Sequence, residues 1–218
     1  MRTESFGATL ADSIRILYFL EDLAQEGLLR ALLQRVAAEE SICSGVLKHD
    51  IRSARGGSRV VNEFRKFLRD TADAPPEAHL LVAAIDANCK RRTAKIKELA
   101  KCVDDTHPLK EAIVYAVPDP HIERWYLLDQ RAFKLAVGLD RAPELPPYKC
   151  KRDHYKNALS QALRDGGVSS VLGGAEYAEK IVENVQDLDT LGRQDNSFQA
   201  FIQDLRSAFR KQKRERKI

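Results

Sequence analysis

The sequence predicts an α/β protein: a mostly parallel, Rossmann-like sheet flanked by helices, followed by a helical C-terminal extension. Three observations lead there. Apolar runs at Ile14–Leu20, Leu80–Ile85 and Ala112–Val117 have the length and composition of strands buried on both faces. Between them lie stretches with apolar residues at three- and four-residue spacing, the mark of helices packed on a core. The runs also end alike, each at or just before an acidic residue. At 218 residues and 44% hydrophobic, the chain can bury a full core of its own. Residues 1–140 form the α/β core in this reading, residues 141–218 the helical extension, and residues 210–218 a basic tail.

Taken in order, IRILYFL at Ile14–Leu20 is the first strand, closing on Glu21 and Asp22. A helix follows to about Glu39, with Leu28, Leu29, Leu32, Leu33 and Val36 as its apolar stripe. Ser44–Ile51 is a weaker strand signal. It leads into RSARGGS at Arg52–Ser58 and a helix over about Arg59–Asp70. Backbone amides of that glycine loop, with Arg55 and Arg59 beside them, suit a phosphate. No Lys-Ser/Thr follows the glycines, so it is not a Walker loop, and a plain turn is the competing reading. After the proline linker TADAPPE comes the strand Leu80–Ile85, then a helix carrying Ile96, Leu99 and Val103. AIVYAV at Ala112–Val117 is closed by Pro118-Asp119-Pro120, and HIERWYLLD opens a helix with Glu123 on its first turn. Beyond Leu139 an irregular stretch gives way to helical pieces near Tyr155–Arg164, Ala175–Val185 and Asn196–Lys211. In the last of these, Phe198, Phe201, Ile202, Leu205 and Phe209 share one face. The basic residues after it extend past the body.

The net charge of +4 is too small to demand a polyanionic partner by itself. Cys43, Cys89, Cys102 and Cys150 show no CxxC pair. That usage fits a reducing cytosol and argues against a disulfide framework, with Cys89 a small filler. The N-terminus lacks a signal-like apolar core, and no apolar run approaches a membrane span. The expectation is a soluble, cytoplasmic protein without a membrane partner.

The chemistry concentrates at the strand ends. Neighbouring ends in a parallel sheet lie about 5 Å apart, so Glu21, Asp86 and Glu123 can converge. Two carboxylates about 4 Å apart repel by roughly 4 kcal/mol at an effective dielectric near 20, which a divalent cation relieves. Asp86 and Asn88 offer the oxygen ligands that Mg²⁺ or Mn²⁺ prefers. Asp86 can equally serve as a helix cap. Glu26, one turn along the first helix, is an outer ligand or a base. Lys90, Arg91 and Arg92 are placed to meet substrate phosphates, or to form a solvated first helical turn.

FLEDLAQEGLLRALL and AAIDANCKRR, with the spacing between them, resemble the TOPRIM fold of topoisomerases, primases and OLD-type nucleases. AVPDPHIERWYLLD and the later GGAEYAEKIVENV and FQAFIQDLRSAF are similar to small TOPRIM-like proteins encoded beside ATPases in bacterial defence regions. The resemblance runs from about Ile14 to Phe209, and PHIERWYLLD is its most specific part. It implies that Glu21 is the fold's glutamate, a general acid/base or metal ligand. Asp86 becomes the first acid of a DxD pair, and Glu123 an additional carboxylate. Two positions depart from the pattern: Asn88 replaces the second Asp, and Asp22 replaces a customary Gly. The resemblance implies a Mg²⁺-dependent nuclease cutting DNA or RNA, an effector of anti-phage defence. The alternative is a degraded TOPRIM-like subunit that docks on an ATPase or nucleic acid without cutting. Nucleic acid and an ATPase are the implied partners, with self-association left open.

Overall fold

The computed structural model describes residues 13–22, 24–54, 59–72 and 75–216. Four parallel strands, β1 (Ile14–Leu20), β2 (Leu47–Ser53), β3 (Leu80–Ala84) and β4 (Ile113–Ala116), pair in the order β2-β1-β3-β4. The predicted α/β class with a parallel, helix-flanked sheet is observed. No described helix is long and apolar enough to cross a membrane.

Strand alternation builds two cores. Ile14, Ile16, Tyr18 and Leu20 of β1 join Leu80, Val82 and Ala84 of β3 on one face. Helix α1 (Ala24–Glu39) and the C-terminal helices cover them. Leu17, Phe19, Leu81, Ala83 and Ile85 face the other way. There they meet Val60, Phe64 and Leu68 of α2 (Val60–Ala72) and Leu99 of α3 (Arg92–Ala100). With β1 and β3 central, the chain leaves β1 towards β2 and leaves β3 towards β4. The strand order therefore reverses between β1 and β3, where open α/β sheets form a crevice at their carboxyl ends.

Several boundaries differ from expectation. Ser44–Val46 form a 3₁₀ turn, so β2 starts at Leu47 and runs on to Ser53. The helix expected across HIERWYLLD stops early as α4 (Ile122–Tyr126). Asp129 accepts a hydrogen bond from the Ala132 N–H (2.8 Å) and so caps a new helix, α5 (Gln130–Val137). Helices α6 (His154–Asp165), α7 (Ala178–Asn184) and α9 (Asn196–Arg216) fall where expected, while α8 (Leu188–Gly192) is additional. Its five residues are too few to show a period. Asp187 defines it by accepting from the Asp189 and Thr190 N–H groups.

The tail expectation needs correction. Phe198, Phe201, Ile202, Leu205 and Phe209 are buried as predicted, but the helix continues to Arg216 along the body. Arg210 forks onto Glu40 at 2.8 Å through each of two nitrogens, Lys213 reaches the Glu40 carbonyl (2.9 Å), and Arg216 reaches that of Ser13 (3.0 Å). The cysteine expectation is also corrected, because Cys89 and Cys150 form a disulfide. They lie 61 residues apart in sequence. Only the folding back of the segment between α5 and α6 onto the β3–α3 loop brings them together.

Helix α9 also fixes what carries the crevice. Asp195 caps it, accepting from the Ser197 (2.9 Å) and Phe198 (3.0 Å) N–H groups, and forms a buried pair with Arg124 of α4 (2.8 Å). The Ser197 hydroxyl accepts from the Asp119 N–H and the Trp125 indole, both at 3.1 Å. Breaking a buried ion pair strands the remaining charge. Asp195→Ala is therefore expected to lower unfolding stability by about 3–5 kcal/mol in urea denaturation. Exposed Arg210→Ala should be close to neutral.

Candidate functional site

Backbone bonding continues past the ends of the central strands. The Glu21 N–H donates to the Ala84 carbonyl (2.9 Å), Ile85 to Ala116 (3.1 Å) and Ala87 to Pro118 (2.9 Å). The first bond holds the β1 and β3 exits side by side, and the other two do the same for β3 and β4. The Asp86 N–H then donates to Glu21 Oε2 at 2.9 Å, so one carboxylate sits directly on the backbone of the other acid.

The two carboxylates lie within electrostatic reach of one another and are held by different partners. Asp86 follows Val82 and Ala84 towards α1 and α4. Its Oδ1 accepts from Gln25 Nε2 and the Ile122 N–H, each at 3.2 Å, and its Oδ2 lies 3.4 Å from His121 Nδ1. The Lys95 charge on α3 acts on Glu21. Lys95 itself is buried and pairs with Glu98 (3.2 Å). Gln25 joins the halves, since its Oε1 accepts from the Glu21 N–H (3.1 Å) while its amide holds Asp86.

The electrostatics follow from burial. Burial first, then the Asp86 charge, push the Glu21 carboxyl from 4.5 up to about 7. Asp86 is also raised by burial, against the opposing pull of His121, the Ile122 N–H and Gln25. Glu123 on α4 is raised by burial and then by Asp86. His121 is raised above its ordinary value mainly by its hydrogen bond to Asp86. Like-charge repulsion is secondary to desolvation for all three carboxyls, because they sit partly buried between helices.

Asn88, Glu123 and the basic residues are placed less simply. Asn88 adopts φ 51° and spends its amide N–H on the Asp86 carbonyl (3.2 Å). Glu123 is half-buried and within electrostatic reach of Asp86. Lys90 pairs with Glu98 (3.0 Å) and Arg92 with Asp204 of α9 (3.4 Å), while Arg91 is exposed. Glu26 pairs with Arg30 (3.2 Å), and Asp22 accepts from the Ala24 N–H (2.8 Å) at the start of α1. Arg59 is exposed just before α2, and Arg55 lies outside the described residues. Sequence reasoning missed Gln25, Lys95 and His121. The signal for His121 was available in its place between the Pro118-Asp119-Pro120 turn and Glu123. Nothing local distinguished Gln25 or Lys95 from ordinary helix residues.

Among the described residues, no three His, Cys, Asp or Glu side chains are grouped to hold a metal ion. The donor types of Glu21 and Asp86 nevertheless suit a hard cation. Mg²⁺ is commonly held by one or two carboxylates, with water and substrate phosphate completing its shell. Two desolvated carboxylates, one with its pKa near neutrality, form an anionic site that a cation would stabilise.

A pH dependence follows. A carboxyl whose folded pKa is raised contributes stability at low pH and loses it as pH rises through the folded value. The Glu21 contribution is therefore lost between 4.5 and about 7, and the raised Asp86 and Glu123 act with the same sign. In chelator-treated protein, thermal unfolding is expected to shift downward from about pH 5 to about pH 8. Glu21→Gln should flatten that slope, and an equally steep slope in the variant would contradict the assignment.

Comparison with known proteins gives no match among family models, curated proteins or solved structures.

Proposed function

We propose that this chain is a TOPRIM-like, Mg²⁺- or Mn²⁺-dependent nuclease acting on DNA or RNA phosphodiesters. One observation carries the reading: Glu21 and Asp86 meet through a 2.9 Å hydrogen bond at the reversal point of a parallel sheet, with Glu21 raised to about 7. That edge is where α/β sheets bind ligands, and the TOPRIM-like segments of the sequence supply the reaction class. Glu21 and Asp86 would hold the cation, with Glu123 nearby. The bound ion would supply charge stabilisation to the phosphoryl oxygens in the transition state.

The chain's own residues divide the remaining work. Without a cation Glu21 takes up a proton near neutral pH, and it would release that proton on binding one. His121, oriented by Asp86 at Nδ1, can carry a proton to or from a reacting oxygen. Gln25 and the Ile122 N–H fix the Asp86 carboxylate, so its orientation does not depend on solvent. Lys95 places positive charge on the α3 side of Glu21.

A second reading is favoured by specific contacts: a degraded TOPRIM-like subunit that docks on an ATPase without cutting. Asn88 replaces an acid and uses its amide internally. Asp86 already accepts two N–H bonds beside His121, while Lys90 and Arg92 pair with acids of the chain itself.

The two readings separate in one assay of plasmid, single-stranded DNA and RNA with Mn²⁺. On the nuclease reading the wild type cuts, and Glu21→Gln or Asp86→Asn lowers the rate by about 10²-fold or more while the protein stays folded. Cleavage that survives both substitutions would sink the mechanism. Absence of cutting by the wild type, with and without an ATPase partner, would favour the docking subunit.

A further inference from the structure

The disulfide does more than join two loops, because both of its cysteines stand in basic surroundings. Cys89 is followed by Lys90, Arg91 and Arg92, and Cys150 is flanked by Lys149, Lys151 and Arg152. The crosslink sets their Cα atoms 5.5 Å apart, bringing the two basic segments together. Lys90, Arg91, Lys149, Lys151 and Arg152 are all exposed. Arg91, Lys149 and Lys151 have no ion pair among the described residues, whereas Lys90 pairs with Glu98 and Arg152 with neighbouring Asp153. Next to them Tyr148 is 56% exposed, one of few large apolar side chains at the surface. Its hydroxyl donates to Asp119 (2.8 Å), two residues before His121, and lies within electrostatic reach of Arg91, while the Arg124 guanidinium stands 5.9 Å from the ring centroid and leaves the rest of the ring exposed. A second hydrogen bond ties the segment down, from the Lys149 N–H to the Tyr155 hydroxyl (3.1 Å).

We propose that this disulfide-joined surface binds single-stranded nucleic acid and leads it to the crevice of Glu21 and Asp86. It deepens the nuclease reading, on which it rests for the kind of polymer bound. Clustered lysines and arginines match a phosphate backbone, releasing its counterions on binding. An exposed aromatic among such charges is the platform on which unpaired bases stack, and duplex bases do not present that face. Cys89 lies three residues beyond Asp86 and Tyr148 is bonded to the loop that precedes His121. A strand tracked along this surface therefore passes the acids.

The test is fluorescence anisotropy of a labelled oligothymidylate and of a matching duplex, in EDTA, across about 50–200 mM salt. Wild-type protein is expected to bind the single strand more tightly than the duplex. The triple variant Lys149→Ala, Lys151→Ala, Arg152→Ala should bind at least about tenfold more weakly at low salt. Its salt slope should be shallower by about 0.7 for each phosphate contact removed. Cys89→Ser with Cys150→Ser, checked for fold by circular dichroism, should also weaken binding while keeping every charge. Should that variant unfold, the triple variant decides, since its three side chains are exposed. Unchanged affinity in the triple variant, tighter binding to duplex, or no binding by the wild type would overturn the proposal. Adding Mn²⁺ to the same samples separates the two claims. Binding without cleavage removes the nuclease reading and leaves the surface standing. Cleavage with affinity unchanged in the triple variant removes the surface alone.

Discussion

The hydrogen bond from the Asp86 N–H to the Glu21 carboxylate, 2.9 Å long, is the contact on which the candidate site depends. It exists because β1 and β3 are adjacent parallel strands in register, with Leu20 opposite Ala84. One residue past that pair the ladder ends, and an acidic side chain takes the place of the next carbonyl. A carboxylate accepting a backbone N–H is favoured in its charged form. Here burial outweighs that effect, and Glu21 is left with a pKa near neutrality. A group so placed titrates near neutral pH and offers an anionic oxygen to a cation.

The C-terminal region takes part in that arrangement. Asp195 holds Arg124, and Ser197 holds both the Asp119 backbone and the Trp125 indole. These contacts bracket His121 and Glu123 from both sides in sequence. The Ile122 N–H can reach Asp86 because α4 is anchored this way. From the opposite side the Cys89–Cys150 disulfide and the Tyr148–Asp119 bond tie the segment before α6 to the same two loops. The ends of β1 and β3 are thus framed by residues more than a hundred positions apart.

How much of this was legible in the sequence depended on range. The three principal strands, the major helices and the buried face of α9 follow from periodicity, which reports burial locally. Glu21 and Asp86 were visible because each stands where an apolar run ends, and Glu123 because it opens the helix after the third run. The weak β2 was misplaced by three residues, since a 3₁₀ turn at Ser44–Val46 has no periodic signature. The helix break after Tyr126 was hidden by continuing apolar residues, although Asp129 supplied a cap. The disulfide, the anchoring of Arg210, and the roles of Gln25 and Lys95 all depend on long-range packing. No spacing rule brings Cys150 to Cys89 or turns a lysine of α3 towards the end of β1.

The central claim is that Glu21 and Asp86 together form a cation site controlled by a proton. Calorimetric titration of Mn²⁺ into chelator-stripped protein near neutral pH, in buffers of differing ionisation enthalpy, tests it directly. The account predicts saturable binding with release of protons, stronger at alkaline than at acidic pH and lost in Glu21→Gln. Binding that persists unchanged in Glu21→Gln, or wild-type protein that takes up no Mn²⁺ at alkaline pH, would contradict it.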